Sequence, residues 1–394
     1  MAANCSLIVA KLLMTPCWVR NVNLHFLACN LDVRMTLNDS SSSKQSGYVP
    51  HYILHQDPFA SKLSWEADII AALYLVIIGV LSTLGNGYVL LMAFRQKKKL
   101  KPPEIMTSNL ALFDFGISVT GKPFLIISCF LHRWAFGWAG CRWYGWAGFF
   151  FGCGSLVTMT VVSLDRYLKI CHLRYATWIQ RHHVFICMAL VWLYVGFWAT
   201  MPLVGWGNYA PEPFGTSCTL DWWQARASVR GQSFVLCILF FCLVFPVVII
   251  VFSYIKIIAK VKSTSKEVSH FDARNQNSHV LEMKLTKVAM LICTGFLVAW
   301  IPYAIVSVWS AFGDNESIPL ELTFVPTMLA KSSAMYNPII YQVMNCKAKC
   351  MAMCCNNRQR EKEHFQKSRL YTIATDTRSS TLKLKASEGL KAGK

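Results

Sequence analysis

The chain has 394 residues, of which 54% are hydrophobic and 15% charged, and its formal net charge is +19. Soluble domains usually carry about 25% charged residues, so the composition excludes an ordinary soluble fold and points to lipid as the solvent. The basic residues lie between and after apolar runs, which reads as attraction to anionic lipid at a cytoplasmic face and not as a nucleic-acid surface. The 16 cysteines form no repeated CxxC pairs, so no zinc site is indicated; several lie in apolar stretches, where a free thiol acts as a small hydrophobe.

The chain start does not read as a signal peptide: its apolar stretch, Leu7 to Met14, is interrupted by Lys11 and has no basic region before it. Seven later stretches are long enough to cross a bilayer core of about 30 Å as helices. In chain order they are Ile69–Phe94, Ile105–Leu131, Tyr144–Leu164, Val184–Val204, Gly231–Ile255, Val288–Ser310 and Leu322–Asn345. Helix is the form in which each span satisfies its own backbone in lipid, and the alternating pattern of a membrane barrel is absent. There is no internal repeat of the kind transporters carry.

The connections set the orientation. Arg95–Glu104, Asp165–His183 and Lys256–Lys287 hold five, four and seven Lys or Arg, whereas Arg133–Arg142, Ala210–Arg230 and Asp314–Glu321 hold two, two and none. The positive-inside rule then places the N-terminus outside the cell and the basic C-terminus inside. Three sequons, at Asn4, Asn38 and Asn315, fall outside, where glycosylation is possible. The tail from Asn356 is polar and rich in Ser and Thr, a composition that predicts disorder.

Three ionisable residues lie inside spans: Asp114, Lys122 and Lys331. Intramembrane charge costs at least ~2.5 kcal/mol, so each needs a reason. Lys122 lies eight residues from Asp114 toward the outer end of span two, where snorkelling to the interface is one reading. A Lys amine in an apolar pocket becomes nucleophilic and forms Schiff bases with aldehydes. By chemistry alone, Lys331 reads either as such a nucleophile or as a structural ion-pair partner.

An ordered set of motifs resembles the rhodopsin-like (class A) G-protein-coupled receptors from Trp65 to about Cys355. They are Gly85-Asn86 in span one, Leu110-Ala111-Leu112-Phe113-Asp114 in span two, Asp165-Arg166-Tyr167 closing span three and Trp192 in span four. Pro246 and Tyr254 follow in span five, Trp300-Ile301-Pro302-Tyr303 in span six and Asn337-Pro338-Ile339-Ile340-Tyr341 in span seven. Within that family, a Lys seven residues before the Pro of span seven marks the opsins, and Lys331 and Pro338 have that spacing. Three stretches, Asp57–Trp65, Cys141–Gly148 and Leu329–Ser332, resemble the neuropsin (opsin-5) group of opsins.

The resemblance implies an all-α membrane protein: a seven-transmembrane-helix bundle with a short amphipathic eighth helix, multi-pass in the plasma membrane. Residues 1–64 would be an extracellular segment, 65–345 the receptor domain and 346–394 the cytoplasmic tail. It implies a photoreceptor, not an enzyme, that binds retinal (11-cis, all-trans or both) at Lys331 and activates a heterotrimeric G protein, leaning to the Gi/o class. Arrestin and a receptor kinase would act at the phosphorylatable tail.

Residue by residue, Cys141 would pair with Cys218 in an oxidising outer loop. Tyr144 stands where many vertebrate visual opsins carry Glu, and Glu212, six residues before Cys218, matches the alternative counterion. Trp300 and Tyr303 would press on the chromophore, with Phe149, Phe150 and Gly152 as further wall. Arg166, beside Asp165 and Tyr167, would pair with Glu282 as a two-state lock. Asn86, Asp114 and Asn337 would share an internal polar network, Tyr254 and Tyr341 would turn inward in the open state, and Cys354 and Cys355 are palmitoylation candidates.

Two other functions compete: a receptor for a diffusible ligand and a retinal photoisomerase. An amine receptor needs an acid in span three, and none occurs between Cys141 and Leu164; the intact motif set favours signalling over isomerisation. The neuropsin-like sequence resumes near Tyr48, and residues 1–34 fit no span or conventional domain. Deleting residues 1–34 is therefore expected to leave pigment formation and signalling unchanged, and a strong loss of either would show that they are a functional element.

Overall fold

Ser64 opens the first membrane helix: its hydroxyl accepts the Ala67 amide at 3.2 Å, satisfying a donor the helix itself leaves orphaned. The computed structural model describes residues 57–344 apart from 97, 173, 175–178, 265–272 and 314–317. The first helix is Trp65–Arg95; the second is Pro102–Thr120 followed by Lys122–Phe130; the third is Gly137–Cys171. The fourth, Arg181–Thr200, ends in a 3-10 turn at Met201–Val204. The fifth is Val229–Ile238, a π turn at Leu239–Val244 and Phe245–Thr264, and the sixth is Ala273–Phe312. Six helical stretches among the described residues are long and apolar enough to cross a membrane. The seventh expected span is also helical, at residues 320–344. The chain forms two compact units, Met1–Ile340 and Tyr341–Lys394; of the second, residues 341–344 are described and are helical.

Two spans read as unbroken are not. The second breaks at Gly121, two residues before Pro123. Proline brings no N–H and its ring clashes with the carbonyl four residues back, so the helix restarts around it. The fifth widens to a π turn just before Pro246, for the same missing donor. The third helix runs past Leu164 to Cys171, because hydropathy marks the lipid-soluble part of a helix and not its end.

At one end of the bundle, Tyr209–Pro211 (β1) pairs antiparallel with Cys218–Leu220 (β2). The disulfide Cys141–Cys218 ties this hairpin to the third helix. Residues 57–64 close over it: Ser61 N donates to His132 O and Lys62 N to Phe214 O, both at 3.1 Å, and Trp134 N donates to Phe59 O at 2.7 Å. Gly215 permits the closure. Its φ is +88°, and a Cβ there would fall on the Ala60 carbonyl. Gly215→Ala is therefore expected to cost about 1–3 kcal/mol, read as a lower unfolding temperature of the detergent-solubilised protein. An unchanged temperature would mean that residues 57–64 do not pack there.

Candidate functional site

Beneath the hairpin lies a cavity of about 190 Å³ whose walls come from helices two, three, five, six and seven, from β2 and from Glu212 of the hairpin turn. Lys331 enters it from the seventh helix. Its Nζ donates to the Tyr144 hydroxyl at 2.9 Å and sits 5.1 Å from the centre of the Tyr144 ring. Among the described residues it makes no direct ion pair.

The carboxylate of the site is Glu212, delivered just past β1 and 4% exposed. Its Oε2 accepts from Thr327 at 2.9 Å and its Oε1 from Ser217 at 3.3 Å. Ser217 Oγ also lies 3.4 Å from the Tyr144 oxygen, so its single proton is shared between the two contacts. A polar thread, Lys331–Tyr144–Ser217–Glu212–Thr327, thus joins the amine to the acid without direct contact. Burial pushes the Glu212 carboxyl up from the usual range, opposed by the Lys331 charge and by the Thr327 and Ser217 hydrogen bonds.

The rest of the wall is aromatic and apolar. Trp300 stacks edge-on against Tyr303, with ring centres 5.9 Å apart, and its Nε1 donates to Ser333 at 3.0 Å. The Tyr303 hydroxyl is 2.6 Å from the Thr219 hydroxyl, so the sixth helix is latched to β2. Gly152 faces Trp300 so closely that a Cβ there would lie 3.2 Å from the indole, which gives the Gly a steric reason. Phe149 lines the cavity with Gly152, while Phe150 packs flat on Trp146, 5.0 Å away.

Lys122 does not snorkel. It is 6% exposed and lines the same cavity. The break at Gly121 turns it inward, and its Nζ donates to Ser118 at 3.0 Å. The outer parts of helices two, three and seven meet: Leu125, Tyr144 and Met328 share one buried cluster.

Below the cavity, Asp114 accepts from Asn337 at 2.6 Å and from Ser155 at 2.7 Å. Asn86 donates to the Ala334 carbonyl at 2.9 Å, so Asp114 and Asn337 are bonded directly while Asn86 holds the backbone of helix seven beside them. At the far end Arg166 pairs with Asp165 and, at 2.6 Å, with Glu282 of the sixth helix. Lys169 adds a second cation on Asp165 at 2.9 Å. Tyr167 turns outward to His172 at 3.0 Å, and Tyr254 is buried with its hydroxyl 3.6 Å from Cys293 Sγ. Asn4, Asn38, Asn315, Cys354 and Cys355 lie outside the described residues.

Reading the sequence for charges missed the hydroxyls that position them. Thr327 lies four residues before Lys331, and Ser118 four before Lys122. At that spacing both share a helix face with their lysine, which was the available signal.

An amine and a buried carboxylate at one end of an apolar, aromatic-walled cavity fit a long apolar aldehyde held covalently. Comparison with known proteins agrees with this site. Residues 85–341 match the 7 transmembrane receptor (rhodopsin family). Opsin-5 of Homo sapiens is 66% identical over 351 residues, covering 88% of this chain and 98% of that protein. Rhodopsin of Alloteuthis subulata is 36% identical over 282 residues, covering 69% and 64%. The crystal structure of squid rhodopsin superposes with a TM-score of 0.68 at 31% identity, covering 75% of this chain and 87% of that one. The chain is therefore an opsin-5-like member of the rhodopsin family of seven-transmembrane receptors, a family of multi-pass membrane receptors and not of enzymes.

Proposed function

We propose that the protein is a light-sensing receptor that holds retinal as a Schiff base on Lys331 and signals through a heterotrimeric G protein. The observation that carries this reading is the Lys331 amine inside the cavity, threaded through Tyr144 and Ser217 to the Glu212 carboxylate. Bound retinal supplies light absorption and a light-driven change of shape. The chain supplies the rest. Lys331 holds the group, Trp300 and Tyr303 wall it, and the hairpin with residues 57–64 excludes water from above. Glu212 compensates positive charge on the Lys331 nitrogen, and Lys122 opposes it.

Signalling, rather than isomer production alone, is supported by the Arg166–Glu282 pair. That pair bridges helices three and six across the face where a G protein would bind, so it is an element that a change in the cavity can bias. In this reading the hairpin end and N-terminus are extracellular and the protein lies in the plasma membrane. The same reading divides the chain at residues 64 and 345, with Asn38 and Asn315 glycosylated and Cys354 and Cys355 carrying palmitate. The tail meets a receptor kinase and arrestin, and the Gi/o class is the expected partner.

The test is an absorption spectrum of the purified protein with 11-cis and with all-trans retinal, beside nucleotide exchange on Gi/o in dark and light. Light-dependent exchange with a retinal-dependent band is expected. A band with isomer turnover and no exchange would make the protein a photoisomerase, and no band with either isomer would overturn the reading.

A further inference from the structure

A run of hydroxyls leads from the Lys122 nitrogen into the polar cluster shared by helices one, two and seven. Lys122 Nζ donates to Ser118 Oγ at 3.0 Å. Ser118 Oγ donates to the Asp114 carbonyl at 2.7 Å and lies 2.5 Å from Ser82 Oγ on the first helix. Asn86 Nδ2 reaches Ser82 Oγ at 3.5 Å and the Ser82 carbonyl at 3.0 Å. The same amide holds the Ala334 carbonyl of the seventh helix, and Asp114 holds Asn337.

Counting protons fixes the donor and acceptor of each bond in this run. A hydroxyl has one proton and two lone pairs. The Ser118 proton is committed to the Asp114 carbonyl, so its two lone pairs accept, one from Lys122 and one from Ser82. The Ser82 proton therefore points at Ser118. The two Asn86 amide protons go to the Ser82 and Ala334 carbonyls, so Asn86 joins the run at the Ser82 backbone, and its 3.5 Å approach to Ser82 Oγ is a shared contact. Ser118 has no spare valence, and Lys122 has no other hydrogen-bond partner among the described residues. Ser82 is 0%, Ser118 3% and Asn86 1% exposed, so solvent does not stand in for a lost partner. The aliphatic stem is guided as well: a Cβ on Gly79 would lie 3.3 Å from Lys122 Cδ, so the bare backbone of helix one forms the groove in which the stem lies.

We propose that Ser118 is a positioning residue. Its hydroxyl holds Lys122 in the cavity wall and, through Ser82 and the Asp114 carbonyl, ties that nitrogen to the Asn86–Asp114–Asn337 cluster. A change of charge in the cavity then reaches the helix-packing cluster along hydrogen bonds of fixed polarity. The inference rests on the reading of Lys122 as a charge in the chromophore cavity, and two measurements separate the failure of each.

The first uses the full-length protein without retinal. Unfolding temperatures are measured for Ser118→Ala in the wild-type and in the Lys122→Met background. The shift caused by Ser118→Ala is expected to be smaller when Lys122 is absent, as contacting groups are non-additive. Ser118→Thr, which keeps the hydroxyl, is expected to stay near wild type. Equal shifts in the two backgrounds overturn the tether whatever the spectra show. The second measurement uses the retinal-loaded protein. Ser118→Ala is expected to displace the dark absorption maximum toward that of Lys122→Thr, while Ser118→Thr leaves it in place. A wild-type maximum in Ser118→Ala alongside a displaced one in Lys122→Thr overturns positioning by Ser118 but leaves the Lys122 reading intact. An unmoved maximum in Lys122→Thr defeats that reading, and the retinal-free coupling alone then decides the tether. Where Ser118→Ala does not accumulate, Ser82→Ala serves in its place. It removes the Ser82 donor to Ser118, and the same reduced shift in the Lys122→Met background is expected.

Discussion

Lys331→Ala is expected to abolish the light-sensitive absorption band while leaving expression intact. The nitrogen of residue 331 is the atom on which the proposed linkage depends, and Ala offers no nucleophile in its place. The rest of the cavity keeps its own hydrogen bonds without the amine. Among the described residues Lys331 is hydrogen-bonded to the Tyr144 hydroxyl alone, and Tyr144 keeps Ser217 as a neighbour. Glu212 keeps Thr327 and Ser217. The substitution removes the cation that faces Glu212, and the carboxyl, which keeps its two hydroxyl donors, is expected to take up a proton, because an uncompensated buried charge costs several kcal/mol. Absorption spectra and surface expression measured together check this. A photoresponse in Lys331→Ala equal to that of the wild type would sink the proposed function. Loss of expression together with the band would show instead that the amine is needed for folding.

The spans were legible because lipid imposes a length and a composition on each helix, and the residues of the site were legible because ionisable groups in lipid are rare enough to stand out. Lys331, Lys122 and Asp114 were found in this way, and the Cys141–Cys218 disulfide followed from the family motif. What the sequence did not display is what depends on tertiary approach. The break at Gly121 comes from Pro123, visible in the chain, yet the inward direction of Lys122 depends on Gly79 of another helix and on Ser118 and Ser82 meeting across the interface. The path from Lys331 to Glu212 was equally hidden. Three loop and helix segments distant in sequence bring Tyr144, Ser217 and Thr327 together, and no local pattern encodes that. The closure by residues 57–64 was read only as a stretch resembling a family; its physical reason, a positive φ at Gly215 beneath the Ala60 carbonyl, appears in three dimensions alone.

The inward placement of Lys122 bears most directly on colour. Lys122 and Lys331 line one cavity. Across such a cavity, unit charges ~6 to ~10 Å apart repel by about 2–3 kcal/mol at an effective dielectric constant of ~20, roughly ten- to a hundredfold in a protonation equilibrium. Tyr144 brings no negative charge to offset this, and Glu212 acts from the hairpin through Ser217 and Tyr144 rather than at contact. With Lys122 charged, the Lys331 nitrogen in its proposed linkage is expected to give up its proton in the dark. Neutral linkages of this kind absorb in the near ultraviolet and protonated ones in the visible, so the dark state is expected to absorb ultraviolet light. After illumination, protonation of the Lys331 nitrogen with Glu212 as counterion gives a visible-absorbing product. Lys122→Thr removes the opposing cation, and Lys122→Glu replaces it with an anion beside the same nitrogen. Either substitution is expected to move the dark maximum from the near ultraviolet into the visible, and Lys122→Glu has the added pull of a second carboxylate. Dark spectra of the three purified proteins decide the matter. A wild-type maximum already in the visible and unmoved by either substitution would show that Glu212 alone sets the charge on the Lys331 nitrogen, with Lys122 serving only to bind Ser118.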